Sequence, residues 1–396
     1  MSKITSLPVL LLLLACSVND KSFTIEFLPS PAGNNAGEPY LFTDPAGDVL
    51  LSWIETNDTI HQLRYSRWNG QQWNEPVTIA SSSNWFVNWA DYPMIVSNGR
   101  ENLMAAFLEK SSDEKFSYDV KITASSNGIT WGDPTMLHDD GKYAEHGFVS
   151  LVPQGDQVFI SWLDGRNTVS DKPEQTGHDH HGQMTLRAAL LSNKGAKAHE
   201  WELDNRVCDC CQTTAAITAN GPVVIYRDRS HQEIRDIYIV RWVNGSWTAP
   251  KPVYADNWNI SGCPVNGPRC EAIGNTLAVA WFTMANDNPA VKVSFSDDAG
   301  ETFSIPVQLS QSETIGRVDL VLLNESTAVV SWMEGSEIKV ATVNRSGQVE
   351  AITSIAKSSE ARSSGFPQLT KAGAGLLMAW TDSNTKTIRT AALGLK

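Results

Sequence analysis

Basic residues are in short supply: 31 lysines and arginines against 44 acidic residues leave a formal charge of −13 over 396 residues. That excludes nucleic acid and anionic lipid headgroups as partners, because both need a cationic surface. Apolar runs are short. Val9 to Leu14 is the most hydrophobic stretch of the N-terminus, and it is too short to span a bilayer. Cysteine is sparse, with six in the chain. Once Cys16 is set aside an odd number remains, so disulfides alone do not use them all. No arginine occurs between Cys16 and Arg64.

What the chain has is a repeat. A small or Pro-containing start, an apolar strand, a Gly/Asn/Asp turn and a second apolar strand close seven times on an aromatic. These are Trp53, Phe107, Trp162, Tyr226, Trp281, Trp332 and Trp380, spaced 54, 55, 64, 55, 51 and 48 residues apart. Strand–turn–strand self-similarity at this period predicts an all-β fold, a β-propeller of seven four-stranded blades. Each repeat continues into two further strand-like stretches, such as Gln62–Trp68 and Val77–Ala80 in the first. The seventh lacks its outer strand before Lys396. Phe23–Leu28 can supply it, pairing the two ends of the chain and removing an exposed edge.

The N-terminus reads as an export signal: Lys3, the apolar run, then Leu14-Ala15-Cys16 followed by Ser17, Val18, Asn19 and Asp20. This resembles the lipobox of bacterial lipoproteins, which implies lipidation at Cys16, a signal peptide over 1–15 and one propeller domain over 16–396. The expected location is the cell envelope, lipid-anchored in the outer membrane and facing the periplasm or the surface, with the membrane reached through the anchor.

Hairpins between third and fourth strands carry a second motif. Its clearest copy is Ser296-Asp297-Asp298-Ala299-Gly300-Glu301-Thr302-Phe303, with looser copies at Ser126–Trp131, Trp68–Trp73 and Val243–Trp247. These resemble the Asp-box (BNR) repeats of the sialidase superfamily, and the resemblance covers essentially the whole mature chain at the level of architecture. In that family the box stiffens a turn away from the active site, so it implies fold and not catalysis.

In a propeller the loop before each innermost strand and the loop joining the second and third strands share one face. Here they gather most of the unusual residues. Cys208-Asp209-Cys210-Cys211 and Cys263 through Cys270 precede blades four and five. Cys208 and Cys263 each stand 18 residues before their closing aromatic, whereas Asp91, His146 and Cys210 stand 16 before theirs. Equivalent places on neighbouring blades lie near one another and near the axis. The long loop from Asp164 to Gln183 adds His178, His180 and His181.

Two readings of these cysteines stay open. In an oxidising envelope four of the five pair and staple the ring. Alternatively a metal, copper or zinc, is held by Cys208, Cys210, Cys211, Cys263, Cys270 and His146, with the His178/His180/His181 tract as a lid. Soft sulfur with imidazole suits either metal, and adjacent cysteines have poor disulfide geometry. With disulfides there is no cofactor.

The sialidase resemblance implies an arginine triad on the substrate carboxylate, a Tyr–Glu nucleophile and an Asp acid/base. The first arginine of that family lies ahead of the first blade, followed by an apolar residue and Pro. Here the matching stretch is Gly37-Glu38-Pro39-Tyr40, with a carboxylate where the cation belongs. The candidate catalytic residues for hydrolysis are Asp91, Tyr92, Asp164, Arg166, Arg227 and Arg229, although Arg227-Asp228-Arg229 also fits a salt-bridged rim. The reading is therefore an exported propeller whose central face, over blades two to five, binds a metal or small ligand through Cys, His and Asp. The rival is a sialidase-like glycoside hydrolase acting on glycans, and a third option is a purely structural or protein-binding propeller. Neither the oligomeric state nor the ligand's identity is legible.

Overall fold

A computed structural model of the chain describes residues 23–99, 102–169, 182–311, 313–350 and 352–395. The anchor residue Cys16 and the tract His178/His180/His181 lie outside them.

The seven repeats form seven antiparallel sheets ordered one after another round the ring. Blade one shows the plan: Ala36–Thr43, Val49–Asn57, Ile60–Trp68 and Val77–Ser82 lie side by side from the axis outward. The innermost strands of blades two to seven are Met94–Ser97, His146–Gln154, Thr214–Thr218, Arg269–Ile273, Thr314–Asn324 and Gln368–Ala372. In blade four the outer position is split between Ser246–Trp247 and Lys251–Pro252. Among the described residues the only helical elements are single 3₁₀ turns at Ala285–Asp287 and Arg362–Ser364. Phe23–Leu28 pairs antiparallel with Thr387–Leu395, from Phe23 against Leu395 to Leu28 against Thr390. The ends of the chain thus complete blade seven as the repeat count expects.

All seven closing aromatics lie on second strands and are 97% or more buried. They fill the space between neighbouring sheets, where face-to-face packing removes both apolar faces from water. Three of them share a further device. Trp53 Nε1 donates to Glu55 (2.8 Å), Trp162 Nε1 to Asp164 (2.9 Å) and Trp332 Nε1 to Glu334 (3.1 Å). Residues i and i+2 share a face of a strand, so Trp-x-Asp/Glu satisfies a buried indole within its own strand.

The turn at Ser296 shows why its motif recurs. Ser296 Oγ accepts from Gly300 N (2.8 Å), and Asp298 Oδ1 accepts from Ser296 Oγ (2.7 Å) and Thr302 N (2.8 Å). Burial by itself would raise the Asp298 carboxyl, but the hydrogen bonds from Thr302, Ser296 and Glu301 together outweigh it and hold the group down at about 2. Gly300 has φ 82°, and a Cβ there would come within 2.5 Å of Ile239, so only glycine fits.

His146 opposes Asp164 across the first two strands of blade three, and Val207 opposes Asp228 in blade four. Leading loops and second-to-third loops therefore open on one face, which positions the site.

Candidate functional site

The inner strands of blades one, three and six break register at the same place: Gly37/Tyr40, Gly147/Ser150 and Gly316/Asp319. Each break holds a non-glycine residue in the left-handed region, Glu38 at φ 54°, Phe148 at φ 52° and Arg317 at φ 54°. A bulge of this kind re-aims a side chain that a regular strand would send elsewhere.

Three groups of polar residues occupy the face over blades two to four. The first joins Asp91, Tyr118 and Glu145. Asp91 Oδ1 accepts from Phe148 N (2.7 Å), Tyr118 OH donates to Glu145 Oε1 (2.7 Å), and Asp91 Oδ2 lies 3.5 Å from the same phenol. Burial pushes the Glu145 carboxyl up to about 7 and Asp91 well above its usual value. Tyr118 is buried and stacks on Phe86 at 4.0 Å.

The second surrounds His146, which is fully buried. Its ring lies parallel to that of His138 at 3.6 Å. Asp140 Oδ2 is 3.0 Å from His146 Nε2 and 3.1 Å from His138 Nδ1, while Asp119 Oδ1 is 3.3 Å from His138 Nε2. Asp164 Oδ1 lies 3.7 Å from His146 Nε2. Burial alone would discharge His146, but the Asp140 hydrogen bond and the Asp164, Asp140 and Asp119 charges outweigh it and hold the ring above its usual value. Asp164 is itself committed, to Trp162 and to Arg166 Nε and Nη2 (both 2.7 Å). Parallel stacked imidazoles aim their lone pairs side by side, so a metal shared by both would sit far out of each ring plane. As arranged, this is a hydrogen-bonded network.

The third is the cysteine group. Cys208, Cys210 and Cys211 place their sulfurs within 4.8 Å of one another, and Cys208 Sγ is 3.9 Å from Cys210 Sγ and 3.7 Å from Cys211 Sγ. A disulfide needs about 2.05 Å, and all five described cysteines are free thiols. Arg235 Nη1 donates to Cys208 Sγ at 3.1 Å, and Arg235 Nη2 to Glu233 at 2.9 Å. Burial opposes ionisation of Cys208. The adjoining thiols of Cys210 and Cys211 and the charges of Arg235 and Arg227 overcome that and hold it well below the usual thiol range. Cys210 is driven well up, first by its hydrogen bond to Cys208, and burial pushes Cys211 up to about 12.

The remaining sequence candidates fall elsewhere. Cys270 is apart from the sulfur group, 3.5 Å from Thr214 Oγ1. Cys263 is exposed and is not among the sulfurs grouped with Cys208. Arg227 donates only to backbone carbonyls, and Arg229 lies on the rim, paired with Glu233 (3.0 Å) and Asp209 (3.2 Å). Tyr92, stacked on Tyr40 at 6.2 Å under the Arg269 guanidinium, has a buried hydroxyl without a hydrogen-bond partner. Sequence reading passed over Tyr118, Asp119, His138, Asp140, Arg235 and Arg269.

Glu38 has no ion-pair partner among the described residues, and burial pushes its carboxyl up to about 7. A raised carboxyl stabilises the fold fully below its unfolded value and loses that contribution as pH climbs through its folded one. Glu38→Gln is therefore expected to raise the free energy of urea unfolding at pH 8 by roughly 2 kcal/mol, and to leave it unchanged at pH 4. Equal effects at both values would disprove the assignment.

No family model matches the chain, and no curated protein matches it. Among solved structures it is similar to the polysaccharide lyase Uly1, with TM-score 0.52 and 8% identity over 91% of this chain and 90% of that one. Looser similarity extends to the α-L-arabinanase of Penicillium chrysogenum, with TM-score 0.47 and 14% identity over 92% and 96% of the two chains. A Hadza microbial sialidase, Hz136, gives TM-score 0.44 and 13% identity over 75% and 63%. At such identities the Uly1 likeness is one of fold: the chain is a seven-bladed β-propeller.

Proposed function

We propose that this propeller is a soft-metal-binding protein, holding copper or zinc between Cys208, Cys210 and Cys211 on its central face. The observation that supports the reading best is the sulfur triangle: three unpaired cysteine sulfurs within 4.8 Å of one another, one of them accepting a hydrogen bond from Arg235 Nη1 at 3.1 Å. Thiolates are the ligands that select copper(I) and zinc. Metal uptake displaces the protons of Cys210 and Cys211, so affinity rises with pH. Arg235, with Arg229 behind it on Glu233 and Asp209, offsets the added negative charge. His146 belongs to the neighbouring carboxylate network and orients Asp140, outside the sulfur group.

The lipobox resemblance at Cys16 adds an envelope location, anchored in the outer membrane; a Cys16→Ser protein that still fractionates with membranes would refute the anchor. The Asp-box resemblance rests on the turn geometry at Ser296.

A second reading, glycan hydrolysis on the same face, draws on Asp91 and Glu145, two carboxyls pushed upward and joined through Tyr118. Against it, Tyr118 is shut under Phe86, and the donors of Arg166, Arg227 and Arg229 are spent on protein partners. One experiment separates the two: metal content and free-thiol count of mature protein prepared without a His tag, beside turnover of fluorogenic sialosides and arabinofuranosides. About one equivalent of copper or zinc with no turnover supports the metal site. Metal-free protein with four paired cysteines, or metal-free protein that cleaves a glycoside, overturns it.

A further inference from the structure

The outer strand of blade seven fixes where the N-terminal end of the chain leaves the propeller. Loops joining second and third strands lie on the central face, so every third strand starts there and ends at the opposite face. Phe23 pairs with Leu395 at the far end of the third strand, and Leu28 with Thr390 nearer its start. Phe23 therefore stands at the face opposite the cysteine triangle. It lies seven Cα steps from Cys16, at most about 25 Å when fully extended. The strand Thr314–Asn324 of the adjoining blade six alone runs roughly 30 Å from face to face. A tether of that length does not bring an anchor at Cys16 round to the central face. The opposite face carries a second signal. Ile305 at 86% and Ile129 at 73% are the most exposed large apolar side chains among the described residues. Both lie between a third and a fourth strand, and those hairpins turn on the opposite face. Blades two and five, which carry them, each stand two places from blade seven, one on either side. The start of Phe23–Leu28, Ile129 and Ile305 are thus three points that enclose the propeller axis.

We propose that the propeller rests on the bilayer by this opposite face, held by the lipid at Cys16 and by Ile129 and Ile305 at the interface, with its central face directed away from the membrane. The proposal rests on the anchor reading above and is independent of the metal reading. Stable attachment takes an anchor and a second, weaker signal. With a formal charge of −13 the chain draws no help from anionic headgroups, so the second signal here is apolar. Three contacts around the axis, rather than one at the rim, hold the ring flat instead of on edge. The loops that carry Asp91, Glu145 and Cys208 then open into the aqueous compartment, and whatever the central face binds arrives from solution and not from the lipid.

The test uses the lipidated full chain in phosphatidylcholine vesicles that carry an energy-acceptor dye on a small share of the headgroups. A donor dye is attached through p-azidophenylalanine placed at Lys194 or at Tyr143, both exposed. Both positions belong to blade three, far from the anchor. Lys194 sits in the hairpin between third and fourth strands, and Tyr143 in the leading loop of the central face. Energy transfer to the headgroups is expected to be at least about threefold stronger from Lys194 than from Tyr143. Equal transfer from the two would mean a ring standing on edge, and stronger transfer from Tyr143 a central face turned to the lipid; either overturns the proposal. Ile129→Asp combined with Ile305→Asp, at exposed positions where the fold should hold, is expected to cut that ratio at least by half, with circular dichroism checking each protein. A ratio unmoved by the two aspartates removes the isoleucines from the interface and overturns the three-point contact. Failure of the anchor is read separately: a chain with Cys16 intact that does not float with the vesicles sinks the anchor reading itself.

Discussion

Cys208→Ser is expected to reduce bound copper or zinc from about one equivalent to below a tenth. Cys208 is the sulfur that touches both others, at 3.9 and 3.7 Å, and it receives the Arg235 hydrogen bond at 3.1 Å. A serine hydroxyl keeps that hydrogen bond, so the buried guanidinium is not orphaned and the fold should survive with little loss. What it cannot supply is a soft, ionised ligand at neutral pH. Of the two sulfurs left, Cys211 is still held up by its burial, and with Cys210 it leaves the set one sulfur short. The expected signature is therefore loss of metal with an unchanged urea midpoint in the metal-free forms. Elemental analysis beside equilibrium unfolding reads both. Full metal retention in Cys208→Ser would exclude the triangle as the seat, and a collapse of stability would point to the cysteines as a structural staple.

The architecture was legible because a propeller repeats its own physics. Every blade needs one large aromatic on its second strand to fill the gap to the next sheet, so Trp53 through Trp380 mark the ring in the sequence, and Phe23–Leu28 stands out as the strand the last repeat lacks. Cys208 and Cys263, at equal distances from those aromatics, fall in the leading loops of neighbouring blades, ahead of Thr214–Thr218 and Arg269–Ile273. Counting back from the second strand says nothing about outer strands, however. His138 follows the outer strand Thr135–Met136 of blade two and Asp119 lies on its third strand, and only the fold brings them to His146. That leaves His146 facing Asp140, Asp164 and Asp119, where the sequence suggested cysteine neighbours. Asp164 carried a signal that went unused: Trp-x-Asp/Glu recurs at Trp53, Trp162 and Trp332, which marks its carboxylate as the partner of an indole before it can be an acid catalyst. The three bulges were likewise written in the chain as Gly-x-Pro/Val-x at Gly37, Gly147 and Gly316, and no periodicity rule announces that the residue after the glycine will adopt a positive φ.

Arg227 and Arg229 look alike in sequence and differ most in the fold, and the difference yields the largest expected loss of stability. Arg227 is 2% exposed. Its Nε and Nη2 donate to Asn266 O (3.1 and 2.8 Å), Nη1 to Arg235 O (2.7 Å) and Nη2 to Phe282 O (2.7 Å), with the guanidinium 4.8 Å from the Trp258 ring. One side chain from blade four thereby satisfies three carbonyls, two of them in the leading loop and second strand of blade five. Arg227→Met preserves much of the apolar volume and leaves those carbonyls without donors. At about 1–3 kcal/mol for each buried polar group left unpaired, partly relieved by water, the expected loss is about 3–5 kcal/mol in urea unfolding. Arg229→Met, on a rim of exposed ion pairs with Glu233 and Asp209, should cost about 1 kcal/mol or less. The Arg227 variant should also loosen the metal, because the Arg235 carbonyl that Arg227 fixes belongs to the residue whose guanidinium holds Cys208. The expected result is weaker copper or zinc binding in Arg227→Met and near-normal binding in Arg229→Met. An Arg227→Met protein that unfolds at the wild-type urea concentration would mean that the guanidinium does not hold blades four and five together, and would return Arg227 to the candidates for gripping an anionic ligand.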